Sequence, residues 1–312
     1  MEAMTSPLSL SDLHCDTALE MYRAKSSFSR NNCAINAQLL KSYRRTAQVM
    51  AVYCPEALSD DEGFLQCFSV LSHLHTCLGN RAEIIRSRKE IPGILAGRKT
   101  ALIPAVEDAR ILAGSLSRLA ALYRAGIRIL TLLWGGNTCI GGSHDTDSGL
   151  TPFGRAVVRK CHQIGIIPDI SHASVASAEE IIEISLSTGK PCIASHSDSY
   201  HVFPHTRNLS DRLFRAVRDL GGVVGLCLCP AHLGSNSYEA VLAHADHYLS
   251  LGGENTLCLG CDMDGTDLPD GIRNVSDLSR IADLFARHGY SDRLIGHIFW
   301  ENAFSFFTGL SG

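Results

Sequence analysis

Three histidines and three carboxylates in this chain stand where they could hold and work metal ions. The run Asp12-Leu13-His14-Cys15-Asp16 sets an imidazole and a carboxylate two residues apart, and Glu107, His172, His196 and Asp262 follow at long intervals. Each falls at the C-terminal end of an apolar run of strand length. Side chains two apart on a strand share a face, so His14 and Asp16 can aim at one cation. Neighbouring strands lie about 4.8 Å apart, so His172 and His196, ending consecutive strands, can meet on a second. Glu107 comes between these groups in strand order, and its two oxygens can bridge ions roughly 3.5–4 Å apart. The donors are nitrogen and oxygen without thiolate, which favours zinc, with manganese, iron or cobalt as the other fitting ions. A lone histidine in an apolar run is ordinarily a satisfied core residue. A whole set of ligand types at one end of separate strands is hard to explain by packing, because a buried charge without a partner is costly.

The strands that must carry these residues are legible as short apolar runs: Leu8–Asp16, Ala47–Cys54, Ala101–Glu107, Ile127–Trp134, Ile166–His172, Cys192–His196, Val223–Cys229 and Thr256–Asp262. Helical patterns separate them at Glu62–Lys89, Ser115–Ala125, Pro152–Ile164, Val175–Thr188, Ser210–Leu220, Tyr238–Leu251 and Val275–His288. Thr151-Pro152, Ser174, Ser210 and Ser276 read as helix starts. Gly126, Gly165, Gly189, Gly221 and Gly289 read as helix ends. Eight strands alternating with helices over one uninterrupted composition predict an α/β fold, a single (β/α)8 TIM barrel domain over residues 1–312. An open doubly wound sheet would announce a glycine-rich turn after its first strand, and here Cys15-Asp16-Thr17 follows instead. Barrel enzymes place their chemistry at the C-terminal ends of the strands, where the polar residues above lie.

The remaining chemistry-bearing residues carry weaker signals. His73, His75, His201, His205, His232, His288 and His297 read as surface or loop residues. His244 and His247, three apart on a helix, have the spacing to chelate but no third ligand nearby in sequence, and read as a solvated face. His144, in the glycine-rich loop after the fourth strand, is within reach of the site. Cys258 and Cys261 form a single C-x-x-C pair inside an apolar run and read as buried strand residues. No nucleophile elbow and no phosphate loop is present.

Composition narrows the partners. In 312 residues, 45% are hydrophobic and 19% charged, enough to bury a large core. A net charge of -4 with scattered Lys and Arg leaves no footprint for nucleic acid or a membrane surface. No run of 18 apolar residues is present. Residues 1–12 lack the features of a secretion leader, so a cytoplasmic, reducing location is expected, and the 12 cysteines are expected to be thiols.

Taken together these motifs resemble the membrane (renal) dipeptidase family of zinc peptidases, among the amidohydrolase-like barrels. The resemblance runs through nearly the whole chain. It is carried by Asp12-Leu13-His14-Cys15-Asp16-Thr17, Glu107, Leu130-Thr131-Leu132, Asn137-Thr138, Leu150-Thr151-Pro152-Phe153-Gly154 and Asp169-Ile170-Ser171-His172-Ala173-Ser174. It continues in Ser195-His196-Ser197, Thr206-Arg207-Asn208, Gly260-Cys261-Asp262-Met263-Asp264-Gly265 and Trp300-Glu301-Asn302-Ala303-Phe304.

The resemblance implies two zinc ions per chain, one on His14 and Asp16, the other on His172 and His196, with Glu107 bridging and a water activated to hydroxide. It implies cleavage of dipeptides, with a D-residue tolerated at the C-terminal position. Arg207 would hold the substrate carboxylate through its guanidinium fork, Asp262 would handle the proton and meet the substrate amine, and Asn137 would contact substrate. Homodimers are common in the family. One position departs: where the best-known members carry a His after the Leu-Thr-Leu run, this chain has Trp134, which donates one N–H but does not titrate. That departure keeps open a cyclic or other non-peptide amide as substrate; a metal-binding protein without dipeptidase activity is a separate alternative, against which the retained ligands and Asp262 stand.

Overall fold

The computed structural model describes residues 8–309; the first seven and last three residues, including most of the segment read for a leader, lie outside the described residues. The strands are β1 Leu10–Asp12, β2 Thr46–Tyr53, β3 Ala82–Ile84, β4 Thr100–Glu107, β5 Ile129–Thr131, β6 Ile167–Asp169, β7 Val224–Leu226 and β8 Leu257–Leu259. All pairings between them are parallel, and the ladder runs β6-β5-β4-β2-β1-β8-β7. Residues 192–196, expected as a full strand, form only two single parallel bridges, Asp169↔Ile193 and Ala194↔Val224, and these close the ring between β6 and β7. The fold is thus the expected (β/α)8 barrel, with one wall reduced to bridges.

The reduction has a local cause. A Cβ on Gly225 would lie 2.0 Å from the Ser195 carbonyl oxygen, and one on Gly260 would lie 1.8 Å from it. The chain at Ser195 therefore presses into the space beside β7 and β8 that these glycines leave, instead of running level with the ladder.

A second correction concerns residues 62–89. One helix was expected there, but the chain forms helix Asp60–Cys77, then β3, then a short helix at Ile91–Ala96. The first helix ends where Gly79 takes φ +68°, open to glycine and strained for other residues. Residues 82–84 pair with the start of β4, whose other neighbour on that side, β5, begins only opposite Ala105. The open edge of β4 thus captures a segment whose local pattern reads as helix. Elsewhere helices Pro152–Ile164 and Val175–Thr188 have the expected bounds, and Thr151, Ser174 and Ser210 accept from the third amide of their helices. All five predicted glycine ends have positive φ. Ser276 is not a cap: Asn274 accepts from its amide and opens a 3-10 turn before helix Ser279–His288.

Two apolar layers follow from the strand period of two. Ala47, Val49 and Ala51 of β2 and Ala101, Ile103 and Ala105 of β4 fill the barrel interior with Ile129, Ile167, Ile193 and Cys258. Met50, Val52, Leu102 and Val106 point outward to the helices. The C-terminal segment, helix Asn302–Gly309 with the turn before it, seats Trp300, Ala303, Phe306 and Phe307 in the interior cluster. The described cysteines are free, and Cys258 and Cys261 are fully buried thiols whose pKa burial pushes up. Among the described residues no helix is long and apolar enough to cross a membrane.

Candidate metal centre

The inward parity of β4 that buries Ala101, Ile103 and Ala105 carries Glu107 into the barrel mouth, where it is 4% exposed. β1 stops at Asp12, and the next residues are held by bonds from the Leu13 amide to the Leu259 carbonyl and from the Asp16 amide to the Met263 carbonyl. His14 and Asp16 therefore lie beyond the strand, yet still converge: His14 Nε2 is 3.5 Å from Asp16 Oδ2. Asp16 occupies the cap position of helix Thr17–Arg23 without capping it, and its Oδ1 is buried with no partner.

Glu107 joins two groups of donors. Its Oε2 is 3.6 Å from His14 Nε2, while its Oε1 is 3.1 Å from His172 Nε2 and 3.3 Å from His196 Nε2. The two imidazole nitrogens of His172 and His196 are 3.0 Å apart. Two facing lone pairs repel unless a proton or a cation sits between them. Asp262 Oδ1 reaches to 3.7 Å from His14 Nε2. The ligand atoms of His14, Asp16 and Glu107 lie within 4.8 Å of one another, as do those of Glu107, His172 and His196, and of His14, His196 and Asp262.

Backbone conformation and hydrogen bonds aim these groups. His172 and Asp262 have φ of +66° and +57°, left-handed values that turn the chain sharply as it leaves the strand ends. The Asp169 carboxylate, buried at the end of β6, accepts from the Thr131 hydroxyl (2.6 Å), the Ser171 and Ser195 amides (3.0 and 2.9 Å) and the Ser195 hydroxyl (2.5 Å). With its proton committed to Asp169, the Ser195 hydroxyl accepts from Nδ1–H of His196 at 2.7 Å. That chain leaves the Nε2 lone pair of His196 facing Glu107. Asp12 does the corresponding work on the other side, accepting from the Cys261 amide (2.8 Å) and Gln48 Nε2 (3.0 Å) and so tying β1 to the end of β8.

The electrostatics are those of an ion site. Burial pulls the pKa values of His172 and His196 well below the ordinary imidazole range, with Arg207 adding repulsion for His172 and His14 doing so for His196. Burial also lowers that of His14, but the Glu107 and Asp16 carboxylates outweigh it and hold His14 well above. Burial pushes Glu107 up, and Asp262 to about 8. Three carboxylates and three imidazoles share one buried space, and His14 Nε2 and Asp16 Oδ1 have no hydrogen-bond partner. Divalent cations satisfy those orphaned atoms and neutralise the carboxylates, and the nitrogen and oxygen donors suit zinc. The residues present fit such ions.

Around the cluster lies a cavity of about 190 Å³, walled by Asp16, Glu107, His172 and Asp262 and by Tyr53, Trp134, Glu20 and Arg23. Trp134 is brought in as expected from its place after β5, its ring 6.0 Å from that of His172 and 4.9 Å from that of Tyr53. Asn137 is not brought in: it is exposed, pairs with Gly142 across a turn, and lines no part of this cavity. The turn that carries it is bonded to the loop beside His172, through the Ser143 amide to the Gly136 carbonyl and the His144 amide to the His172 carbonyl. Arg207 likewise lies outside the wall of this cavity; it is 3% exposed, donating to the Ser197 hydroxyl at 2.9 Å and the His196 carbonyl at 2.8 Å, with Nε buried and unpartnered. Among the described residues no carboxylate lies within 4.0 Å of its guanidinium.

Sequence reasoning missed Tyr53, although its place at the end of β2, in register with Glu107, was a usable signal. It also missed His205 and His232. Their rings stand 5.2 Å apart, and His205 is 6.4 Å from His144, which in turn is 5.8 Å from His172. Burial, then the charge of Arg207, lowers His144 to about 4 and His232 to about 3, so these rings are neutral neighbours of the guanidinium.

The chain is similar to several known proteins. The model of the membrane dipeptidase family (peptidase family M19) matches residues 1–309. An uncharacterised protein of the pqqA 5' region in Klebsiella pneumoniae is 28% identical over 252 residues, 76% of this chain and 92% of that protein. A dipeptidase of Claviceps purpurea is 28% identical over 229 residues, 71% of this chain, and an uncharacterised dipeptidase of Schizosaccharomyces pombe 31% over 193 residues, 58% of this chain. The matches span about half of those two proteins, 53% and 46%. Among solved structures, a metallopeptidase of family M19, dipeptidase AC, superposes with a TM-score of 0.89 at 25% identity, covering 97% of this chain and 98% of that one. A metallopeptidase from Rhodobacter sphaeroides, liganded with a phosphinate mimic of the dipeptide L-Ala-D-Ala, has a TM-score of 0.87 at 23% identity, covering 97% and 99%.

Proposed function

The chain belongs to the membrane dipeptidase family, peptidase family M19, and on that premise we propose that it hydrolyses free dipeptides at a two-zinc centre and accepts a D-residue at the C-terminal position. His14 and Asp16 would hold one ion, His172 and His196 the other, and Glu107 both. When bound, such ions polarise a carbonyl and lower the pKa of water toward neutrality. The observation that carries the substrate reading is Arg207, a buried guanidinium beside the His196 carbonyl with no carboxylate partner among the described residues. A buried cation in that position calls for an anion, and the free carboxylate of a dipeptide supplies one in the bidentate geometry a guanidinium favours. With cations bound nearby, Asp262 would be ionised, and its carboxylate would take a proton beside the reacting carbonyl and return it to the leaving amine. A cavity of about 190 Å³ suits a ligand of dipeptide size. The phosphinate dipeptide mimic held by the Rhodobacter protein is consistent with a D-residue at the second position.

The test is hydrolysis by zinc-loaded protein of L-Ala-L-Ala, L-Ala-D-Ala and N-acetyl-L-Ala-D-Ala, with chelated protein as control. The expected result is metal-dependent cleavage of both free dipeptides, lost on acetylation. A second reading rests on Trp134, an indole in the cavity wall where the best-known relatives place an imidazole. If metal-loaded protein cleaves none of the panel, the substrate is another amide, and Trp134→His is the substitution that should restore dipeptide cleavage.

A further inference from the structure

The helical pair His244 and His247 separates in the fold, and neither residue is simply solvated. His244 is fully buried: the Ser199 amide donates to its Nδ1 at 3.0 Å, and its Nε2–H donates to the Leu233 carbonyl at 3.2 Å. Both nitrogens are used, and this histidine fastens the start of the loop that follows His196. His247, nearly one turn further along helix Val241–Ser250, faces a different neighbourhood. Its Nε2 is 2.8 Å from Asp211 Oδ1, and its ring lies parallel to that of His201, 4.2 Å away with an interplanar angle of 5°.

Three elements therefore bring three donors together. His201 comes from the loop between His196 and Arg207, Asp211 is the first residue of helix Asp211–Asp219, and His247 comes from helix Val241–Ser250. One ligand atom from each lies within 4.8 Å of the other two. We propose that His201, Asp211 and His247 form a further site for a borderline divalent cation such as Zn²⁺, separate from the central cluster and reached directly from solvent.

The chemistry supports this. Two imidazoles and a carboxylate are the donor set of three-ligand zinc sites, leaving a fourth position for water. Each imidazole offers a ring nitrogen within reach of the other two ligand atoms. The Asp211 carboxylate is held below its usual pKa, first by its hydrogen bond with His247, so it is an anion. Arg215 is the nearby opposing charge, but it approaches the other oxygen, Oδ2, at 3.8 Å, so Oδ1 contacts only His247, whose hydrogen bond an ion between the two would replace. Ligand atoms around a tetrahedral ion at 2.0–2.2 Å stand roughly 3.3–3.6 Å apart. That lies between the 2.8 Å contact and the 4.8 Å outer limit, so only side-chain adjustments are required. His201 is exposed and sits on a turn, and the His247 and Asp211 side chains are 14% and 33% exposed, which gives an ion its entry path. Occupancy would cross-link the loop that carries Arg207 to the two helices beneath it.

Zinc content after equilibrium dialysis at rising free Zn²⁺ tests the site, with the full chain compared to His201→Ala, Asp211→Asn and His247→Ala. The natural protein is expected to take up one equivalent more than each variant, while dipeptide turnover at low free zinc is the same in all four. The His201 variant changes an exposed turn and so guards against loss of fold. Equal zinc content in the natural protein and all three variants would overturn the proposal. The readout is a difference in stoichiometry, so it stands whether or not the central site binds two ions.

Discussion

At the scale of single residues, the central cluster is a set of groups that burial would make untenable without cations. His14 Nε2 and Asp16 Oδ1 lack partners, and His172 and His196 present lone pairs to each other. Two predictions follow from individual side chains. Replacing Asp262 by Asn keeps the shape and removes the proton carrier. Turnover should fall by about 10²- to 10⁴-fold with metal content unchanged, measured by steady-state kinetics beside metal analysis. A variant near full activity would remove Asp262 from the proposed proton transfer. Replacing Ser195 by Ala breaks the Asp169–Ser195–His196 chain at its centre. Affinity for the metal on that side should weaken roughly 10- to 100-fold in competition with a chromophoric chelator, because the imidazole loses the partner that fixes its tautomer. Unchanged affinity would mean that packing alone orients His196.

At the scale of elements, the mouth is assembled by strand ends whose direction is set by period two and then altered by sharp turns. Gly225 and Gly260 matter here because they admit the Ser195 backbone. Gly225→Ala forces the wall at residues 192–196 outward and should lower stability by about 1–3 kcal/mol through overpacking. Because Ser195 and His196 ride on that wall, metal affinity should fall with it, read by thermal unfolding with and without zinc. A loss of stability with no change in zinc affinity would show that the wall moves independently of the ligand. Thr151 makes a parallel case at a helix start. Its hydroxyl accepts from the Gly154 amide at 3.0 Å and donates to the Cys139 carbonyl at 2.6 Å, so it caps one helix and ties down the loop before it. Thr151→Ala should cost about 1–2 kcal/mol in chemical denaturation.

At the scale of the whole molecule, the barrel brings its acids and imidazoles together from positions up to 248 residues apart, so the ions it is proposed to hold should stabilise the entire fold. Exhaustive chelation should lower the melting temperature, and added zinc should restore it. The gain follows the free ligand concentration, about 4 kcal/mol at a thousandfold excess over Kd. A melting temperature indifferent to chelator would mean that the buried charges are compensated within the protein itself.

What the sequence determined by itself was periodicity and local chemistry. Alternating apolar runs located the barrel strands, Thr151, Ser174 and Ser210 marked helix starts, and the polar residues at strand ends named the central cluster, because strand parity aims Glu107 inward wherever its neighbours Ala101, Ile103 and Ala105 face the core. Only the tertiary structure decided features that depend on segments meeting across the chain. β3 exists because the edge of β4 was open. Residues 192–196 lose their ladder because two distant glycines leave room for them. His244 is buried and His247 gains His201 and Asp211 because the loop after His196 folds over their helix. Arg207 is buried because that same loop returns to the His196 carbonyl. Local pattern fixes what a residue can do; which partners it meets is set by long-range packing, whose energy is distributed over the whole core and leaves no short motif to read.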